Sequence, residues 1–124
     1  AATLGASRVV AVENDPLALK YARLNAERHG VSDQIEFVEG DAIALTEECH
    51  FGKFDVVAAN LFSELLIQLF PLIPRNLNES GEVIVSGFLT SQTRSVTERA
   101  ASSGLPLQDF LRRGKWVAAH GKRA

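Results

Sequence analysis

The stretch Val9-Val10-Ala11-Val12-Glu13-Asn14-Asp15-Pro16 decides the fold class. Four small or β-branched apolar residues run without alternation, which is the pattern of a short parallel strand covered on both faces. An acid follows at once. Asn14 or Asp15 then stands ready to cap a helix, and Pro16 suits its first turn because the ring presets φ and the missing N–H has no helical partner there. Leu17, Tyr21, Leu24 and Asn25 carry the helical spacing toward His29, and Gly30 supplies the stop. Gln34-Ile35-Glu36-Phe37-Val38 alternates more and reads as an edge strand. The chain therefore opens with a strand, helix, strand unit, whose crossover is right-handed in nearly all proteins.

The same grammar recurs downstream. Phe54-Asp55-Val56-Val57-Ala58-Ala59 and Glu82-Val83-Ile84-Val85-Ser86 read as further strands buried on both faces. Between them, Leu65, Leu66, Leu69, Phe70 and Ile73 give a helix over about Ser63 to Ile73, strained in its last turn by Pro71. Asn76 to Gly81 reads as a turn. A polar-sided helix over about Ser91 to Ser103 ends at Gly104, and Arg113-Gly114 joins strands Leu107 to Leu111 and Trp116 to His120 as an antiparallel hairpin. The order predicts an α/β fold, an open sheet with an antiparallel finish, spanning residues 1–124 without internal repeats.

Composition narrows the class. With 124 residues, 46% of them apolar, and a mean hydropathy of +0.03, the chain suffices for one core and not for two ordinary domains. No apolar run approaches the roughly 18 residues of a membrane-spanning helix, and Ala1-Ala2-Thr3-Leu4-Gly5 lacks the basic and apolar regions of a signal peptide. A soluble, cytoplasmic protein without membrane contact is expected. The one cysteine, Cys49, has no disulfide partner, and no Cys/His cluster has zinc spacing, so no metal is expected. Net charge is -2, with 5 basic against 10 acidic side chains in residues 1–62 and 8 against 5 in residues 63–124. That falls short of the basic balance of a dedicated nucleic-acid binder, so nucleic acid is not expected as the direct substrate. Arg112, Arg113, Lys115, Lys122 and Arg123 read as solvated surface. Cys49-His50 does not read as a nucleophile, since adjacent loop residues seldom meet in attack geometry. His29 and His120 read as structural, and Trp116 as core or hairpin packing.

In open α/β sheets ligands bind outside the carboxyl ends of the strands, and three such ends carry polar residues. Glu13 can accept both hydroxyls of a ribose, or begin the cap network of the following helix. Asp41 can accept from the exocyclic amine of a purine, or form a turn with Gly40. Asn60 can grip a substrate nitrogen, or cap the next helix.

Taken together, Val9 to Pro16, Glu39-Gly40-Asp41-Ala42 and Phe54 to Asn60 resemble the second strand, adenine-side turn and fourth strand of the class I methyltransferases that use S-adenosyl-L-methionine. Asn60-Leu61-Phe62, Ser80 to Phe88 and Gly114-Lys115-Trp116-Val117 are similar to the PrmA-type ribosomal-protein lysine methyltransferases. The resemblance implies a Rossmann-like sheet with a C-terminal hairpin. It also implies Glu13 on the ribose, Asn14 beside the adenine, Asp41 and Ala42 on the adenine edge, Asn60 at the methyl-transfer point contacting cofactor and acting in catalysis, and Leu61 and Phe62 on the substrate. The implied acceptor is a protein amine, lysine or N-terminal, of a ribosomal protein. The family's first strand and its loop, an acid followed by G-x-G-x-G, belong upstream of Glu13. Only twelve residues precede Glu13, with the single glycine Gly5, and Ala1 to Gly5 look like the end of a helix that would follow the loop. The expectation is therefore an N-terminally truncated catalytic domain, weak or inactive in isolation. Two alternatives stay open: a nicotinamide-dinucleotide-binding domain, where an acid after a strand serves equally well, and a non-catalytic interaction module using the basic C-terminal cluster.

Overall fold

The Val9 run forms strand β1 (Val9–Glu13) in a computed structural model that describes residues 1–49 and 51–124. Two units emerge, residues 1–45 and 46–124, each with its own sheet. In the first, a 3-10 turn at Ala2–Leu4 ends in Gly5, so the expected helix end at Ala1 to Gly5 is one tight turn. Helix α1 (Pro16–Arg28) starts where expected: of the two candidate caps, Asp15 accepts the Leu17 N–H at 3.0 Å. Gly30, at φ 66°, takes the left-handed position after its end. Strand β2 (Ile35–Glu39) pairs parallel to β1, with Val9 opposite Ile35 and Glu13 opposite Glu39.

The helical spacing of Leu17, Tyr21 and Leu24 marks a real stripe, but one turned outward. All three are exposed, whereas Leu19 and Ala26 are buried. With about 3.6 residues per turn, Leu19 and Ala26 fall on one side of α1 and the stripe on the other. A seven-residue helix α2 (Ala42–Glu48), absent from the sequence reading, follows β2.

The second unit holds strand β3 (Phe54–Asn60), helix α3 (Ser63–Leu69), strand β4 (Leu77–Leu89), helix α4 (Thr93–Ser102), and the hairpin β5 (Leu107–Arg113) and β6 (Trp116–Lys122). Its sheet order is β3-β4-β6-β5, parallel between β3 and β4 and antiparallel beyond, so the predicted α/β architecture with an antiparallel finish is what forms. The helix expected to reach Ile73 converts at Phe70 into a 3-10 segment, Phe70–Asn76, because Pro71 and Pro74 each remove a helical N–H donor. Asn76 to Gly81 is not a turn before the strand: β4 already begins at Leu77. Four β4 residues, 78–81, lie opposite the single Asp55 of β3, and Asn78 donates to the Asp55 carboxylate at 2.7 Å, so the turn-forming residues are absorbed as an irregularity in the ladder.

The core sits here, between α3, the 3-10 segment, α4 and one face of the sheet. Phe70, Phe88, Leu66, Ile73, Val83, Val85 and Val96 are fully buried. The other face is open within this unit: Val56 is 48% and Ile84 46% exposed, so these strands are covered on one side and not on both. Trp116 is likewise no core residue; it is 46% exposed, with the Lys115 ammonium 5.5 Å from its ring centroid in the hairpin. Arg123, read as solvated, instead donates to the Pro74 and Leu77 carbonyls at 2.9 and 2.7 Å. Among the described residues β1 pairs only with β2 and β3 only with β4. Among the described residues no helix is long and apolar enough to cross a membrane.

Candidate functional site

Parallel pairing of β1 and β2 puts both carboxyl ends at one edge of the first unit. The Gly40 N–H donates to the Glu13 carbonyl at 3.0 Å, which ties Glu13 and Asn14 to Gly40, Asp41 and Ala42. Four of the sequence-predicted residues thus converge. Glu13 accepts the Asp15 N–H at 3.2 Å through one carboxylate oxygen, and Asp15 caps α1 in turn. The two Asp41 oxygens accept the Ile43 and Ala44 N–H groups at 3.4 and 3.3 Å, which starts α2. The cap network read for Glu13 is therefore realised, and Asp41, read as a turn residue with Gly40, caps α2; neither role exhausts a carboxylate, whose two oxygens offer about four acceptor sites. The second Glu13 carboxylate oxygen takes no part in that cap, and Asn14 and Asp41 are exposed.

A hollow of about 450 Å³ also lies in this unit, over Val9, Ala11, Ala22, Ala26, Ile35 and Phe37. Neither Glu13 nor Asp41 lines it, and its walls are mostly apolar. The volume is thus away from the polar strand ends, and its polar lining residues are Thr3, Asn25 and His29.

In the second unit Asn60 ends β3, exposed, opposite Ser86 of β4. The Leu61 N–H donates to the Ser86 carbonyl at 3.1 Å, and the Phe62 carbonyl accepts from Leu65 and Leu66 at 3.0 Å each as α3 begins. Phe62 itself is 69% exposed. The cap reading of Asn60 is not realised: Phe62 holds the N-cap position of α3, with no side-chain cap. Asn60 thus has an exposed carboxamide at a strand end that helix capping does not explain.

Two groupings escaped the sequence reading. His120 bridges three strands, with Nδ1 3.0 Å from Asp109 on β5 and Nε2 3.3 Å from Glu82 on β4, and Lys122 lies 3.7 Å from Glu82. The Asp109 hydrogen bond chiefly raises the His120 pKa above its ordinary value; partial desolvation opposes this, and Glu82 adds to it. Only cross-strand register brings these residues together. The second is α2, whose carboxyl-terminal carbonyls at Thr46 and Glu47 accept from Asn76 and Arg75. His29 contacts the Asn25 carbonyl at its helix end. Among the described residues no three His, Cys, Asp or Glu are placed to hold a metal ion. The Cys49-His50 pair falls partly outside the described residues, because His50 does.

Comparison with known proteins gives a consistent answer. The family model of ribosomal protein L11 methyltransferase (PrmA) matches residues 1–124. The ribosomal protein L11 methyltransferase of Pelobacter propionicus is 36% identical over 124 residues, which is 100% of this chain and 38% of the relative. Among solved structures, the ribosomal protein L11 methylase of Lactobacillus delbrueckii subsp. bulgaricus superposes with a TM-score of 0.86 at 29% identity, covering 97% of this chain and 60% of that one. An RNA methyltransferase from Salinibacter ruber, solved with S-adenosyl-L-homocysteine, shares the fold at a TM-score of 0.67 and 22% identity, over 94% of this chain and 65% of its own. The chain spans about 38% of the length of the curated relatives it matches.

Proposed function

The chain belongs to the ribosomal protein L11 methyltransferase family, and on that premise we propose that its 124 residues work as part of a methyltransferase catalytic domain that transfers a methyl group from S-adenosyl-L-methionine to a protein amine. The observation that carries this reading is the meeting of Glu13 and Asp41 at one end of the β1–β2 pair, tied by the Gly40 to Glu13 hydrogen bond. That end matches a nucleoside: an acceptor pair for two vicinal hydroxyls and, one connection away, an acid for an exocyclic amine.

The residues present fit the adenosine half of the cofactor. When bound, S-adenosyl-L-methionine supplies a sulfonium-activated methyl group, so no covalent enzyme intermediate is required. Glu13 accepts from the ribose, Asn14 flanks the adenine, and Asp41 with Ala42 meets the adenine edge. Asn60 accepts an N–H of the acceptor amine through its carboxamide and so aims the nitrogen lone pair, while Leu61 and Phe62 exclude water from the approaching side chain. Orientation of this kind is worth roughly 7 to 11 kcal/mol of barrier. A lysine acceptor must first lose its proton, because only the uncharged amine is nucleophilic. The acceptor is a lysine or N-terminal amine of a ribosomal protein, and the place of work is the cytoplasm. These 124 residues contain no acid followed by G-x-G-x-G, so the chain alone holds the nucleoside and not the amino-acid end of the cofactor.

Methyl incorporation into ribosomal protein L11, read by mass spectrometry with a protein of the relatives' length that carries these residues, tests the reading. Loss of incorporation on Glu13→Ala, recovered in part at high cofactor concentration, is the expected result. Unchanged cofactor affinity in that variant removes Glu13 from the site. For the 124-residue chain, calorimetry with S-adenosyl-L-homocysteine is expected to show at most weak binding, and micromolar affinity contradicts that part.

A further inference from the structure

Gly87 lies near the carboxyl end of β4, at φ 94°, a backbone conformation that glycine adopts freely and other residues rarely do. The β4–β6 register shifts between Ser86 and Phe88, so Gly87 is the extra residue of a bulge; bulges bend a strand and re-aim the groups beside them. What lies against its bare face is the candidate acceptor segment. A Cβ built on Gly87 would stand 2.7 Å from the Asn60 carboxamide oxygen, 2.7 Å from the Leu61 carbonyl oxygen and 3.1 Å from the Leu61 carbonyl carbon. Two of these three atoms are backbone and cannot swing away. The residue before, Ser86, holds the same segment by accepting the Leu61 N–H at 3.1 Å.

We propose that Gly87 is the positioning residue of the acceptor end: the Ser86-Gly87-Phe88 bulge brings a side-chain-free backbone against Asn60-Leu61 and so fixes where the Asn60 carboxamide points. The inference rests on the methyltransferase reading for the role of Asn60, and deepens it by naming what sets that side chain. Gly87 touches no substrate itself; it acts through Asn60. Any side chain at position 87 displaces the carboxamide and the Leu61 carbonyl together, because both occupy the space a Cβ needs.

The test compares Gly87→Ala with Gly81→Ala. Gly81 lies in the same strand, and its added Cβ would meet the Asn78 carbonyl oxygen at 2.8 Å and Leu77, with no contact to Asn60, so it controls for a comparable loss of fold stability. In the ¹⁵N-labelled chain, Gly87→Ala is expected to move the Asn60 side-chain NH₂ pair and the Leu61 amide, and Gly81→Ala to leave both in place. In a protein of the relatives' length, Gly87→Ala is expected to lower kcat at least tenfold with KM for S-adenosyl-L-methionine unchanged. On an Asn60→Ala background the same substitution is expected to cost little more, whereas a merely structural effect persists in full. Unmoved Asn60 resonances, or a full additional loss on the Asn60→Ala background, overturn the inference. Should the unsubstituted protein transfer no methyl group, the methyltransferase reading fails and Gly87 loses its catalytic meaning, while the resonances decide separately whether it orients Asn60.

Discussion

The two units are built to different standards. The first, residues 1–45, has a two-stranded parallel sheet, one long helix and two buried apolar residues, Leu19 and Ala26. The second, residues 46–124, has a four-stranded sheet and, among the described residues, every other buried apolar one, including Phe70, Phe88 and Leu66 at no exposure. Two strands alone are marginal in water, whereas three or more with a covered face sustain themselves. Each unit carries its own candidate residues, Glu13 and Asp41 in the first and Asn60 in the second. Glu13 and Asp41 therefore rest on the weakly cored unit and Asn60 on the well-cored one. The difference teaches that Asn60 stands at the end of a strand in the well-cored sheet, whereas the geometry of Glu13 and Asp41 depends on local hydrogen bonds.

Several substitutions break or sharpen that contrast. The largest effect is expected from Phe70→Ala, which empties a fully buried site and should cost about 3 to 5 kcal/mol in the unfolding of the second unit, read by denaturant titration. Next comes Arg123→Ala, which leaves the Pro74 and Leu77 carbonyls without their charged donor. A loss of about 1.5 to 3 kcal/mol is expected, and a change under about 0.5 kcal/mol would return Arg123 to the solvated surface. In the first unit, Asp15→Ala removes the α1 cap and should cost about 1 kcal/mol of local stability, seen as faster amide exchange at Leu17 to Leu19.

The smallest expected effect is a pH dependence. His120 sits between Asp109 and Glu82, with Lys122 also facing Glu82, and its pKa is raised in the folded state. A raised folded pKa stabilises fully below the unfolded value of about 6.5 and is lost as pH rises through the higher folded value. Melting temperature in the second unit should therefore fall slightly as pH climbs from about 6 to 8, and His120→Gln should flatten that slope. An unchanged slope in the variant would assign it to other groups.

Much of this was legible in the sequence, for identifiable reasons. Val9 to Pro16 pairs a buried strand pattern with a capped helix start, and each local signal agrees with the others; β1, Asp15 and α1 follow. The hairpin was equally plain because Gly114 interrupts two strand-forming runs. Helix α2 was not, since seven residues give too few turns to establish a period, and Gly40-Asp41 signals a turn as readily as the N-terminal cap it forms. Asn78 to Gly81 carries turn-forming residues, and the β3–β4 ladder takes them up as an irregularity between the pairs Phe54–Leu77 and Val56–Glu82. The spacing of Leu17, Tyr21 and Leu24 marks α1 as a helix without marking its buried side, which Leu19 and Ala26 form. The placement of Glu13, Asp41 and Asn60 at or just beyond strand ends was readable; Gly87 and the His120 bridge depend on cross-strand register, which a single sequence does not display.

The most direct measurement is a titration of the ¹⁵N-labelled chain with millimolar adenosine. Glu13 and Asp41 at one strand end predict amide shifts concentrated at Asn14, Asp41 and Ala42. Silence at those positions, or shifts centred instead on the apolar hollow at Val9, Ala11 and Phe37, would contradict the account.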